Sequence, residues 1–135
     1  MSPAGEREQR GVSGKPMVWV IDAEHWPRAC LRAELIERGF DVIGFEGMFQ
    51  ALSALEHGLY VRPFAMVIDL HHLPIQSKEK QALALEATPK ILLGGGVDLN
   101  EAWVKETDWA EVLRRPFTIG RVADAMESLA KPMVD

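Results

Sequence analysis

Three stretches of the chain are unbroken apolar runs: Met17-Val18-Trp19-Val20-Ile21, Phe64-Ala65-Met66-Val67-Ile68 and Ile91-Leu92-Leu93. None alternates between apolar and polar, so neither face of these segments suits water. A short apolar run bounded by turn residues fits a strand covered on both sides, as in a parallel sheet between helices. Asp41-Val42-Ile43-Gly44-Phe45 and Glu111-Val112-Leu113-Arg114-Arg115 read as two further strands, the second closed by arginines. Pro63 and Pro89 stand at strand starts, where the missing N–H is tolerated.

Between the strands the apolar spacing becomes helical. Leu31, Leu35 and Ile36 mark one stripe, opened by Pro27 and stopped at Gly39. Ala51, Leu52, Leu55 and Leu59 mark a second, and Ala82, Leu83 and Leu85, capped by Ser77, a third. Asp98 and Glu101 suggest a capping box for a helix through Ala102, Trp103 and Val104. Thr118 caps the last stripe, Val122, Ala125, Met126 and Leu129, with Phe117 and Val122 placed as a hydrophobic staple. Strands alternating with helices predict an α/β fold: a doubly wound, five-stranded parallel sheet with helices on both faces.

The polar, Gly-rich residues 1–15 read as a mobile leader, 16–131 as one domain and 132–135 as a tail. Gly11-Val12-Ser13-Gly14-Lys15 lacks the preceding strand of a phosphate loop. A net charge of −5 without a Lys/Arg cluster argues against nucleic acid or an anionic membrane as partner. No apolar run reaches the length of a membrane span, and a single cysteine forms no intrachain disulfide. A cytoplasmic domain is the expectation.

Chemistry gathers where strand ends meet. The carboxyl edge of such a sheet is where ligands bind, and here it collects Asp22, Glu24, Asp69, Gly94 and Arg115. Acids from two strands with one arginine make an ionic site, because neighbouring carboxylates repel until a cation relieves them. His25, His71 and His72 lie on loops near the same edge. Histidine with carboxylate can hold zinc, but adjacent loop histidines are expected to point apart, so a solvated loop is the favoured reading. His57 suits a helix C-terminus. Gly94-Gly95-Gly96 reads as a flexible loop, and Cys30 as a small buried side chain. Trp103 and Trp109, with Val112, flank the fourth helix and fifth strand, where aromatics serve either an interface or the domain's own packing.

The layout, with Val20-Ile21-Asp22-Ala23-Glu24, Val67-Ile68-Asp69, Pro89-Lys90-Ile91-Leu92-Leu93 and Arg115-Pro116-Phe117-Thr118, resembles the receiver domain of two-component response regulators. The resemblance covers residues 17–131 and implies the flavodoxin-like strand order 2-1-3-4-5. It makes Asp69 the phosphoacceptor candidate, with Asp22 and Glu24 as the acidic pocket and Gly94 and Arg115 facing the phosphoryl group. It implies Mg²⁺, held weakly by Asp22, Asp69 and His71, since Ala23 stands where the family has a second acid. Other departures are Gly94 in place of a hydroxyl residue, Arg115 in place of lysine, Val112 near the aromatic switch position, and a loop from Asp69 to Pro74 one residue longer than usual. A cis Arg115–Pro116 bond is also implied.

These departures remove positioned charge from a reaction that depends on it. The sequence therefore reads as a degenerate receiver: a protein-interaction module in signal transduction, not an enzyme, with impaired or absent Mg²⁺-dependent phosphorylation. The alternative is a working phosphoacceptor modified on Asp69 by a histidine kinase. Partners would be a histidine kinase or downstream effector, or a second copy through helix 4, strand 5 and helix 5. No output domain follows in this sequence, which suits a single-domain regulator or a segment of a longer protein.

Overall fold

Alternate residues of the central strands feed two separate cores. Val18 and Val20 of strand β1 (Met17–Ile21) and Ala65 and Val67 of β3 (Ala65–Asp69) point to one side. Met17, Trp19, Ile21, Met66 and Ile68 point to the other. All five residues of each strand are buried, as are all five of β4 (Lys90–Gly94). That two-sided burial is why the sequence shows no alternation.

The structure, a computed structural model, describes residues 9–133. Helix α1 (His25–Glu37) follows β1, and α2 (Met48–His57) follows β2 (Asp41–Phe45). Helix α3 (Ser77–Leu85) links β3 to β4. Two short helices, α4 (Gly96–Leu99) and α5 (Ala102–Glu106), lead to β5 (Glu111–Arg114), and α6 (Ile119–Ala130) runs into a 3₁₀ turn, Lys131–Met133. The sheet is parallel throughout, in the order β2-β1-β3-β4-β5. Helices α1 and α6 cover one face, supplying Leu31, Leu35, Val122 and Met126. Helices α2, α3 and α5 cover the other with Met48, Ala51, Ala54, Leu83 and Val104.

Several local expectations change. Gln76, not Ser77, caps α3, because the Glu79 carboxylate reaches back to the Gln76 N–H at 2.9 Å. The expected fourth helix is two short ones, so Asp98 lies within α4 while Glu101 precedes α5. Thr118 does cap α6, its hydroxyl accepting the Arg121 N–H at 3.0 Å, and Phe117 packs against the core that holds Val122. Gly39 ends α1 with φ +97°, as a C′ glycine should. Ile36, Leu59 and Leu85 are exposed instead of lining their stripes, and Cys30 is exposed instead of buried. Each lies about a quarter-turn or more from its helix's buried line, or beyond the helix end.

Residues 1–8 and 134–135 of the expected leader and tail lie outside the described residues. Gln9 to Lys15 make a tight turn: the Gly11 N–H bonds the Lys15 carbonyl at 2.8 Å and the Met17 N–H bonds the Gln9 carbonyl at 2.7 Å. No helix among the described residues is long and apolar enough to cross a membrane.

Leu83 is fully buried whereas Leu85, two residues on, is 86 % exposed. Leu83→Ala should cost about 2–5 kcal/mol by chemical denaturation, and Leu85→Ala within about 0.5 kcal/mol. Equal losses would show that α3 is rotated from this placement.

Candidate functional site

Strand register brings the site together. Ile68 pairs with Ile21 and Leu92, Asp69 with Leu93, and Gly94 with Arg114, so the strands end at one level. The ladder continues one residue further: the Asp22 N–H bonds the Phe45 carbonyl at 3.0 Å and the Arg115 N–H bonds the Gly94 carbonyl at 2.9 Å. Asp22, Asp69, Gly94 and Arg115 are thereby fixed by backbone bonding at one sheet edge.

Asp69 is buried, and both its oxygens are engaged. Oδ1 accepts the backbone N–H of His71 at 3.0 Å, and Oδ2 pairs with Arg115 Nη2. The Arg115 guanidinium also lies 5.0 Å from the centre of the Phe117 ring, within cation–π range. Its Nη1 is buried with no hydrogen-bond partner among the described residues. The Arg115–Pro116 bond is cis, as expected.

Asp22 is equally buried. Its Oδ1 accepts the Glu24 N–H at 2.9 Å, while its carbonyl accepts from Arg28 at 2.8 Å. Burial pushes the Asp22 carboxyl above the usual range, and the charges of Asp69 and Glu24 push the same way. The Glu24 N–H and, more weakly, Arg115 oppose the shift.

The Glu24 carboxylate meets the two loop histidines. Its Oε1 lies 3.0 Å from His72 Nδ1 and 3.4 Å from His71 Nε2. The two imidazoles do not point apart, as adjacent loop residues were expected to. His72 adopts the left-handed conformation (φ +57°), which folds its ring over that of His71, with centroids 3.8 Å apart and planes 32° apart. The His71 ring thus joins Glu24 and His72, while its backbone N–H bonds Asp69. No sequence signal announces a left-handed histidine, whose φ most residues avoid.

Gly94 is buried, and a Cβ built there would stand 3.0 Å from Leu99 Cδ2. Trp103 and Trp109 are half-buried in an edge-to-face pair, centroids 6.0 Å apart, against the second core. Their indole N–H groups bond Glu101 at 2.6 Å and the Val104 carbonyl at 2.8 Å. Val112 is 43 % exposed beside them on β5. His57 bonds the Ser53 carbonyl in the last turn of α2, and His25 stacks edge-on with the exposed Trp26.

Because the folded state favours protonated Asp22, stability should fall as pH rises through the raised value, where the native state alone still holds that proton. Asp22→Asn keeps an acceptor for the Glu24 N–H and removes the buried charge. The variant should melt higher than wild type at neutral pH, with the gain shrinking at acidic pH. A gain that does not depend on pH would refute the assignment.

No protein-family model and no curated protein matches this chain. Solved structures do. A response regulator receiver protein from Pseudomonas putida aligns at 24 % identity and TM-score 0.71, covering 87 % of this chain and 99 % of that one. The chemotaxis response regulator CheY4 of Vibrio cholerae aligns at 16 % identity and TM-score 0.67, covering 84 % and 97 %. The receiver domain of the Francisella response regulator 1452 aligns at 20 % identity and TM-score 0.69, covering 87 % and 98 %. With the parallel order β2-β1-β3-β4-β5 and an aspartate closing β3, the chain has the fold of a response-regulator receiver domain.

Proposed function

We propose that this protein is a signal-transduction module of the receiver type that acts by binding other proteins, with magnesium-dependent phosphorylation of Asp69 impaired or lost. The fold supports the first half of that reading, since the similar structures include response regulators. The observation that carries the second half is the state of the acidic pair. Asp69 already has an internal cation, Arg115, on one oxygen and a backbone N–H on the other.

The donors present do not fit a magnesium ion. Mg²⁺ demands near-octahedral oxygen ligation. Asp22 and Asp69 supply carboxylates, but Ala23 supplies no side-chain oxygen and Glu24 is committed to the histidine pair. A divalent ion beside Asp69 would also compete with the guanidinium that neutralises it. Arg115 thus does electrostatically what a metal does elsewhere, and holds the carboxylate closed to an incoming phosphoryl group. Arginine suits this role better than lysine, because its planar fork stays charged and directional.

Partner contact in this reading falls on the face of α5, β5 and α6. There Val112 is exposed, and Trp103 and Trp109 present their half-buried edges. A histidine kinase, a downstream effector or a second copy of the chain are the partner classes. The protein has no catalytic role of its own in this account.

Incubating the protein with Mg²⁺ and a small-molecule phosphodonor should leave its intact mass unchanged. Ready addition of a phosphoryl group that disappears in Asp69→Asn would overturn the proposal. Ala23→Asp should tighten Mg²⁺ by on the order of tenfold or more in calorimetric titration, the scale on which metal-site groups act.

A further inference from the structure

The geometry points to a second site at this edge: we infer that Glu24, His71 and His72 bind one transition-metal ion of the zinc class. Their ligand atoms all lie within 4.8 Å of one another. Two separations are defined, 3.0 Å from Glu24 Oε1 to His72 Nδ1 and 3.4 Å from the same oxygen to His71 Nε2. Ligands about 2.0–2.1 Å from a tetrahedral zinc stand about 3.3–3.4 Å apart along each edge. The two edges from Glu24 already lie close to that length, and the edge between the imidazoles is no longer than 4.8 Å.

The ligand set selects the metal. Two imidazoles and one carboxylate suit zinc, nickel or copper(II), whereas Mg²⁺ favours oxygen alone. Three protein ligands leave one position for water or a ligand from a partner, the arrangement of an open zinc site. Access is direct, since the side chains of Glu24, His71 and His72 are 41 %, 47 % and 71 % exposed.

The backbone behind the ligands is held by the buried acids. Asp22 Oδ1 fixes the Glu24 N–H at 2.9 Å and Asp69 Oδ1 fixes the His71 N–H at 3.0 Å. The loop after β1 and the loop after β3 are thus each anchored at the backbone N–H of a ligand residue. A bound ion would tie the two loops together across the mouth of the Asp22–Asp69 pair. This site does not depend on Asp69 accepting a phosphoryl group, so its test is independent of the one above.

Calorimetric titration of the untagged full chain with ZnCl₂ should give one ion per chain, undisturbed by excess MgCl₂. Glu24→Gln, His71→Gln and His72→Gln should each weaken zinc by at least about tenfold, while His25→Gln and His57→Gln leave it unchanged. Absence of binding, a smaller loss in any of the three, or an equal loss in either control would overturn the site. Cobalt(II) gives a check that needs no variant. The visible spectrum of a four-coordinate, imidazole-ligated ion is expected, and that of the hydrated ion would count against the proposal.

Discussion

Two carboxylates buried at one edge of a sheet are an electrostatic liability, and the Asp69–Arg115 pair is what makes the edge tenable. Charges taken out of water are costly unless a partner of good geometry replaces the lost solvation. Arg115 provides that replacement from the end of β5, two strands away from β3, so the ion pair also spans β4. Asp22 has no such direct cationic partner among the described residues, and its carboxyl, raised chiefly by burial, prefers its proton more than an exposed acid would. The remaining features of the edge, from the loops bonded to Oδ1 of each acid to the commitment of Glu24 elsewhere, are arranged around this unequal pair.

The strands were legible because burial on both faces leaves its own mark. Val18 and Trp19 face opposite cores, yet both must be apolar, and the same holds for Met66 and Val67. Helices carry a weaker record. Three turns with one buried line tolerate an apolar residue off that line, so Ile36 and Leu85 looked like core and are not. The start of α3 was misplaced by one residue because two residues could cap it, and the reach of Glu79 decided for Gln76. The break between α4 and α5 has no proline to announce it; Asn100 keeps a right-handed helical conformation, and Glu101 alone turns extended, with ψ 143°.

At the site, sheet register places Asp22, Asp69, Gly94 and Arg115 at one edge without regard to side-chain detail, so their shared level is legible from the strand pattern alone. Contacts made by loop side chains were not legible. Whether His71 and His72 diverge or stack depends on a single backbone angle at His72, and that angle is stabilised by surroundings that no local pattern reveals. The tryptophans were open between interface and packing; with both indole N–H groups bonded inside the chain, packing accounts for their polar ends.

The contact between Gly94 and Leu99 bears on what the end of β4 can carry. The space where a hydroxyl side chain would begin is taken up from the other side: besides Cδ2 at 3.0 Å, Leu99 Cγ would lie 3.3 Å from any new Cβ, and Leu99 itself leans on the second core. Any side chain at position 94 therefore needs Leu99 to give way by a few tenths of an ångström. What the end of β4 can carry is thus coupled to the side chain that α4 presents to it, and the two positions should tolerate exchange together more readily than singly.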